Sequence, residues 1–130
     1  MKIKKIRRPM NKHGNPDTST IPGNYTGIVD WPSGLRHWYV NGQWHRYDGP
    51  AVEFAGQEDR YSCWYLYGQI HREDGPAQCW GKSMAFSDVE YFIWGHAYTE
   101  KEYYAIQYEK HKGTELGNKI AAMVLGKKEK

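Results

Sequence analysis

The chain has 130 residues, 25% of them charged, and a formal net charge of +3 at pH 7. That length suits one domain, and no apolar run approaches the ~18 residues that a membrane span needs. Two cysteines are too few for a disulfide scaffold, while 6 Trp, 11 Tyr and 3 Phe allow a core built from a few large side chains.

Residues 1–12 carry Lys2, Lys4, Lys5, Arg7, Arg8 and Lys12 and no acid. No apolar stretch follows these charges, so the segment does not read as a secretory signal, and the expected location is the cytoplasm. Residues 127–130 add three lysines against one glutamate, which leaves an acidic body between basic ends. Residues 1–23 are read as a basic arm, with Ile3 and Ile6 available to anchor it as a first strand. Cations at that density can neutralise several phosphates, so nucleic acid is a candidate partner. The acidic body opposes a broad nucleic-acid surface.

Residues 24–98 are read as a repeat region. Trp38-Tyr-Val-Asn-Gly-Gln-Trp-His-Arg-Tyr-Asp-Gly-Pro-Ala51 recurs 26 residues later as Trp64-Tyr-Leu-Tyr-Gly-Gln-Ile-His-Arg-Glu-Asp-Gly-Pro-Ala77. The two copies differ at Val40/Leu66, Asn41/Tyr67, Trp44/Ile70 and Tyr47/Glu73. A degraded third copy, Tyr91-Phe-Ile-Trp-Gly-His-Ala-Tyr98, loses the His-Arg and Asp-Gly-Pro elements, and an incomplete unit precedes the first copy in Asn24-Tyr-Thr-Gly-Ile-Val-Asp-Trp31. An atypical terminal unit suits a stacked array, whose last edge has no further copy to cover it.

Each copy reads as short antiparallel strands. Trp38–Val40 and Gln43–Arg46 flank Asn41-Gly42, a strong hairpin signal. Tyr67 and Trp94 replace Asn41 in the other copies, while Gly68 and Gly95 remain. A bulky first residue disfavours a type I′ turn, so a type II or bulged turn is expected there as readily. Asp48-Gly49-Pro50 and Asp74-Gly75-Pro76 mark second turns, after which Ala51–Phe54 and Ala77–Trp80 run on as strands. Loops are expected at Ala55–Asp59 and Gly81–Ser87. Cys63 and Cys79 are expected as free thiols near the core, with a facing pair on neighbouring strands as the alternative.

Strand alternation divides the side chains between two faces. One carries Trp38, Val40, Trp64, Leu66, Tyr91 and Ile93. The other carries Tyr39, Tyr65, Tyr67, Phe92 and Trp94 and is the candidate binding face, since an exposed aromatic patch marks an interaction site. The bland reading is that C-terminal helices cover it.

Residues 99–130 are read as a helical cap with a basic tail. Thr99-Glu-Lys-Glu102 is a capping box, predicting a helix over about residues 100–111 that ends near Gly113. Leu116, Ile120, Met123 and Val124 form one apolar stripe of a second helix starting at Thr114 and finishing at Gly126 and the lysine-rich end.

His45, Arg46 and Asp48, with His71, Arg72 and Asp74, invite an acid–base or metal-ligating reading. Recurrence with the repeat favours a structural one, in which each histidine bonds its aspartate across the turn and arginine screens the carboxylate. No nucleophile motif, phosphate-binding loop or Cys-x-x-Cys is present, and no cofactor is expected.

The Trp-Tyr-x-Asn-Gly-x-x-His-Arg-x-Asp-Gly-Pro-Ala unit resembles the divergent MORN-type repeats of bacteriophage and large-virus proteins, over about residues 36–104. There, too, the last copy often runs into a short Thr-Glu-x-Glu helix, as Tyr98-Thr-Glu-Lys-Glu-Tyr103 does here. This chain carries Arg-x-Asp-Gly-Pro where an ordinary unit has Gly-x-Gly. The resemblance implies β-hairpin arrays that make macromolecular contacts without catalysis. The expected fold is α+β, mostly β: an antiparallel meander of MORN-like hairpins with one or two C-terminal helices. The expected function is a non-enzymatic protein-binding module, a phage accessory protein that binds or inhibits a host protein in the host cytoplasm, with no membrane involvement. A nucleic-acid binder and a small metal-dependent hydrolase are the alternatives. Open sheet edges make a homodimer a further candidate.

Overall fold

The computed structural model describes residues 3–54, 61–80 and 89–128, which leaves both expected loops and Lys2 outside the described residues. Among the described residues eleven strands precede two helices: β1 (Lys5–Arg7), β2 (Gly27–Asp30), β3 (Leu35–Val40), β4 (Gln43–Trp44), β5 (Val52–Phe54), β6 (Ser62–Cys63), β7 (Tyr65–Leu66), β8 (Gln69–Ile70), β9 (Gln78–Cys79), β10 (Val89–Ile93), β11 (His96–Tyr98), α1 (Glu100–His111) and α2 (Glu115–Lys128). The main sheet runs in the order β1-β2-β3-β5-β6-β9-β10-β11, with β4 branching from β3 and β7–β8 as a separate ribbon. The fold is mostly β and mainly antiparallel, as expected. The exception is β1, which pairs parallel with β2.

The two full copies are built the same way. The first strand rises, turns, and returns as a two-residue strand. It then passes through Asp-Gly-Pro and re-enters the main sheet beside its own start. In the first copy β3 pairs with β2 along one edge and has two partners along the other: Tyr39 and Val40 pair with β4, while Leu35–His37 pair with β5. The copies share their bonds, with Trp38 and Trp64 amides donating to the Ala51 and Ala77 carbonyls at 2.8 and 2.7 Å.

All three hairpin tips are two-residue turns with both φ values positive: 49° and 79° at Asn41-Gly42, 49° and 79° at Tyr67-Gly68, 45° and 84° at Trp94-Gly95. Type I′ geometry thus holds in every copy, against the expectation for Tyr67 and Trp94. Its twist matches the right-handed twist of paired strands, and that match outweighs the cost of a left-handed backbone at a bulky residue.

The arm is not a free tail. Residues 5–7 extend the sheet, and Ile6, Met10 and Ile21 pack on a core of Tyr25, Val29, Trp31 and Tyr39. Ile3 stays exposed. That core continues along one face through His37, whose ring centroid lies 4.9 Å from Trp44, and on from Trp44 to Tyr65 at 5.0 Å. Burying each such ring is worth roughly 2–3 kcal/mol.

The cap begins as predicted: the Thr99 hydroxyl accepts the Glu102 N–H at 3.1 Å and the Glu102 carboxylate accepts the Thr99 N–H at 3.0 Å. Thr114 opens α2 in the same manner, accepting the Gly117 N–H at 3.1 Å. The second helix runs through Gly126 to Lys128, because one glycine inside a packed helix does not end it. Of its stripe, Ile120 is fully buried, Leu116 and Val124 are half-buried, and Met123 is exposed. Tyr103 and Tyr104 of α1 clasp Tyr91 at 4.9 and 5.4 Å. The first helix therefore covers the Tyr91 side of β10, not the Phe92 side proposed for binding. Tyr103 also caps the second repeat: its hydroxyl accepts the Gly75 N–H at 3.2 Å and donates to the Arg72 carbonyl.

Cys63 and Cys79 are free and buried. Their strands are neighbours, but the register pairs Ser62 with Cys79 and Cys63 with Gln78. The two thiols thus leave opposite faces of the sheet and cannot meet. Burial pushes both thiol pKa values up.

Candidate functional site

The polar motif residues join the repeats. The Arg46 guanidinium lies 3.8 Å over the Trp38 ring, and that of Arg72 lies 4.0 Å over Trp64. Arg46 donates to Asp48 at 3.0 Å, the Pro50 carbonyl at 3.1 Å and Glu53 at 2.8 Å. Arg72 repeats this with Asp74 at 2.8 Å and the Pro76 carbonyl at 3.0 Å. A Cβ at Gly49 or Gly75 would fall 2.7 or 3.1 Å from the guanidinium carbon, which is why glycine follows the aspartate. The chief partner missed from sequence is Glu53, which also accepts the Trp38 indole N–H at 2.8 Å. Its counterpart in the second copy is Cys79, so the repeat pattern does not flag it.

The histidines do not bond their aspartates. His45 Nδ1 accepts the Tyr67 N–H and His71 Nδ1 accepts the Trp94 N–H, each at 2.9 Å, and in both cases the amide belongs to the next copy's turn. The Thr26 hydroxyl does the same for Asn41 at 2.9 Å. The carbonyls of Tyr25, Trp44 and Ile70 accept the N–H of Gly42, Gly68 and Gly95 at 2.9, 2.9 and 2.8 Å. Each unit thus holds the following tip by two bonds. The turn amides need acceptors, and the imidazole is the side chain that reaches them.

This arrangement fixes the chemistry available to the rings. A neutral imidazole accepting at Nδ1 carries its proton on Nε2, leaving no lone pair there for a metal or for proton abstraction. His37 is held likewise, accepting the Trp31 indole N–H at 3.2 Å. Burial lowers the pKa of all three, that of His37 to about 4, which keeps them neutral near pH 7. His71 Nε2 is buried without a hydrogen-bond partner among the described residues, 3.8 Å from Glu73. Glu73 instead takes Lys110 at 2.6 Å and His111 at 3.0 Å, tying the end of α1 to the second repeat. Burial raises the Glu73 pKa, but Lys110 and His111 outweigh it and the net shift is downward. Among the described residues no group of three His, Cys, Asp or Glu side chains is placed to hold a metal ion.

The five residues of the candidate aromatic face separate. Tyr39 is buried, and Tyr65 and Phe92 are half-buried; only Tyr67, 53% exposed, and Trp94, 40% exposed, face solvent. Those two sit in turns, where a left-handed backbone redirects the side chain, whereas Tyr39, Tyr65 and Phe92 lie within strands and are covered. Tyr47, 69% exposed, joins them: its hydroxyl bonds that of Tyr67 at 2.6 Å. The His45 ring lies beneath both, at 4.7 Å from Tyr47 and 4.3 Å from Tyr67. The signal for Tyr47 was its place among the four positions that differ between the copies. On consecutive tips, then, exposed rings stand on buried imidazoles.

The arm cations lie elsewhere. Lys5 and Arg7 are exposed on the edge strand beyond β2, and Lys4 sits 5.4 Å from the Tyr25 ring. Arg8 is half-buried and Lys12 is exposed. No membrane-crossing helix is present among the described residues. Comparison with protein-family models, curated proteins and solved structures finds no match to this chain.

Proposed function

We propose that this chain is a non-enzymatic protein-binding module whose contact surface is the ridge of Tyr47, Tyr67 and Trp94. One observation carries the reading: Tyr67 and Trp94 are exposed aromatic residues held at φ 49° and 45°. Asn41 makes the same turn in the first copy, so the fold does not require a ring at that position. An aromatic residue in a left-handed backbone costs roughly 1–2 kcal/mol, and an exposed one recovers little of that by burial. Exposed Tyr and Trp clusters are the commonest anchors of protein interfaces. The neutral, Nδ1-committed histidines support a role without catalysis. The resemblance to phage MORN-type repeats supports the further reading that the partner is a host protein, bound or inhibited in the host cytoplasm.

The test is affinity capture from bacterial lysate with the natural chain and with a Tyr67→Asn, Trp94→Asn double variant, read by mass spectrometry. A protein retained by the first and lost by the second, with both chains folded, is the expected result. Equal recovery by both chains would count against the ridge, and recovery by neither would count against the module.

A further inference from the structure

We propose that the edge of β10 at Val89 is the seat of an added strand, an extended segment of a partner protein with alanine or glycine opposite Tyr91. The repeat shows what such a seat takes. In the first copy Leu35, Arg36 and His37 pair with β5, and in the second Ser62 and Cys63 pair with β9. Each of those partner strands is preceded by an alanine that follows Asp-Gly-Pro, Ala51 or Ala77, and both alanines are fully buried. The third copy aligns Val89, Glu90 and Tyr91 with Arg36, His37 and Trp38 of the first. It has lost Asp-Gly-Pro, and the chain turns into α1 instead of supplying the strand.

The backbone of this edge is turned outward. The Glu90 carbonyl accepts the Ala77 N–H at 2.9 Å, so Glu90 faces the β9 side. Neighbouring residues of an antiparallel strand direct their N–H and C=O groups to opposite sides, so those of Val89 face away from β9. On that side β11 pairs with residues 91–93 and stops short of Val89. The equivalent residues Arg36 and Ser62 are paired there with Glu53 and Cys79. Among the described residues no strand pairs with Val89 on that side, and a cleft of about 290 Å³ lies between residues 89–91 and 97–100.

Outward N–H and C=O groups at a sheet edge are a template for an extended peptide, which gains main-chain bonds from the edge and specificity from its alternate side chains. Residues directly opposite each other share a face. Tyr103 and Tyr104 of α1 pack on Tyr91 at 4.9 and 5.4 Å, so the face that Tyr91 shares with Val89 is roofed, and the incoming residue opposite Tyr91 must be small. The next residue falls opposite Glu90, on the other face, where Glu90 is exposed and leaves its size unrestricted. The seat is at the opposite end of β10 from the Trp94 tip, so this site stands apart from the aromatic ridge and its test leaves that reading untouched.

The test titrates a peptide of residues 74–80, Asp-Gly-Pro-Ala-Gln-Cys-Trp, into the full chain under reducing conditions and follows backbone amides by NMR. Saturable binding is expected, with shifts at Val89 and Thr99 and slowed hydrogen exchange of the Val89 amide. N-methylation of the peptide at Cys79, whose N–H would bond the Val89 carbonyl, should weaken binding at least about tenfold, as should Ala77→Leu in the peptide. In the protein, Val89→Pro removes the edge donor at a position where an edge strand tolerates proline, and should weaken binding as much, while Lys119→Gln on α2 leaves it unchanged. The two altered peptides keep the test valid should Val89→Pro fail to fold. A response that never saturates, or an N-methylated peptide that binds as tightly as the natural one, would overturn the proposal. So would a Val89 amide already protected from exchange in the free chain, since the edge would then be paired within the molecule. Self-association of the free chain that Val89→Pro abolishes would give the seat to a second copy and overturn the assignment to a partner protein.

Discussion

The imidazole of His71 lies against the indole of Trp94, centroids 3.9 Å and planes 18° apart, and the same imidazole accepts the Trp94 backbone N–H at 2.9 Å. One side chain therefore both stacks on the residue at the next tip and holds its backbone. His71→Ala removes the stack and strands a turn amide, and should cost about 2–4 kcal/mol in urea unfolding. His71→Asn keeps a short acceptor and should recover part of that. A loss below about 0.5 kcal/mol for His71→Ala would mean the contact does not couple the repeats.

Acid should loosen the array. Burial lowers the folded pKa of His37, His45 and His71, so below the unfolded value of about 6.5 the unfolded chain binds more protons. Stability is then full above that pH and falls as pH drops from about 6.5 toward 4. His37, at about 4 when folded, accounts for roughly 3 kcal/mol of the loss. His37→Gln removes that titration and should make the fall across the window shallower, leaving the His45 and His71 contributions. A curve for the natural chain that is flat between pH 6.5 and 4 would contradict this.

Three glycines in equivalent turns should respond unequally. All have φ near +80°, so alanine is strained at each. At Gly42 the added Cβ would lie 2.0 Å from the Gly23 carbonyl oxygen, at Gly68 3.4 Å from Gln43, and at Gly95 it would meet nothing within 4 Å. Gly95→Ala should cost about 1–2 kcal/mol, the backbone strain alone, with Gly68→Ala close to it. Gly42→Ala should cost clearly more or prevent folding. Equal costs at all three, read by chemical denaturation, would refute the close approach at Gly42.

Tyr67→Asn should leave stability within about 1 kcal/mol of the natural chain, since asparagine suits a left-handed turn and the lost Tyr47 contact is exposed. Partner affinity should fall at least about tenfold. A large loss of stability would reassign Tyr67 to the fold.

Cys63 and Cys79, buried with raised pKa values on opposite faces, should stay unreactive toward a thiol reagent until the sheet opens. Labelling rates should then follow global unfolding. Labelling at a rate independent of denaturant would place one thiol at the surface.

What could be read from sequence follows the range of the interactions. Hairpins, Asp-Gly-Pro turns and the Thr99 capping box involve residues at most a few positions apart, and their residue types state the local geometry. The His45 and His71 bonds reach 22 and 23 residues onward, so an aspartate three residues away was the nearer but wrong partner. The aromatic face divides for a related reason. Alternation holds only within a strand, where Tyr39, Tyr65 and Phe92 are covered by residues that no local pattern names, while the exposed Tyr67 and Trp94 stand one residue beyond a strand's end. The parallel docking of β1 depends on the path of residues 8–26, for which no local pattern speaks.

The carbonyls of Tyr25, Trp44 and Ile70 each receive the glycine amide of the next tip, and Ala97 holds the same place in the third copy, just before the chain turns into α1. Growth by duplication therefore needs no redesign. A further 26-residue segment inserted ahead of the third copy would find its seat prepared by the unit before it and would prepare one for the unit after. The length of such a molecule is a matter of counting rungs, and the reach of its row of rings would scale with it.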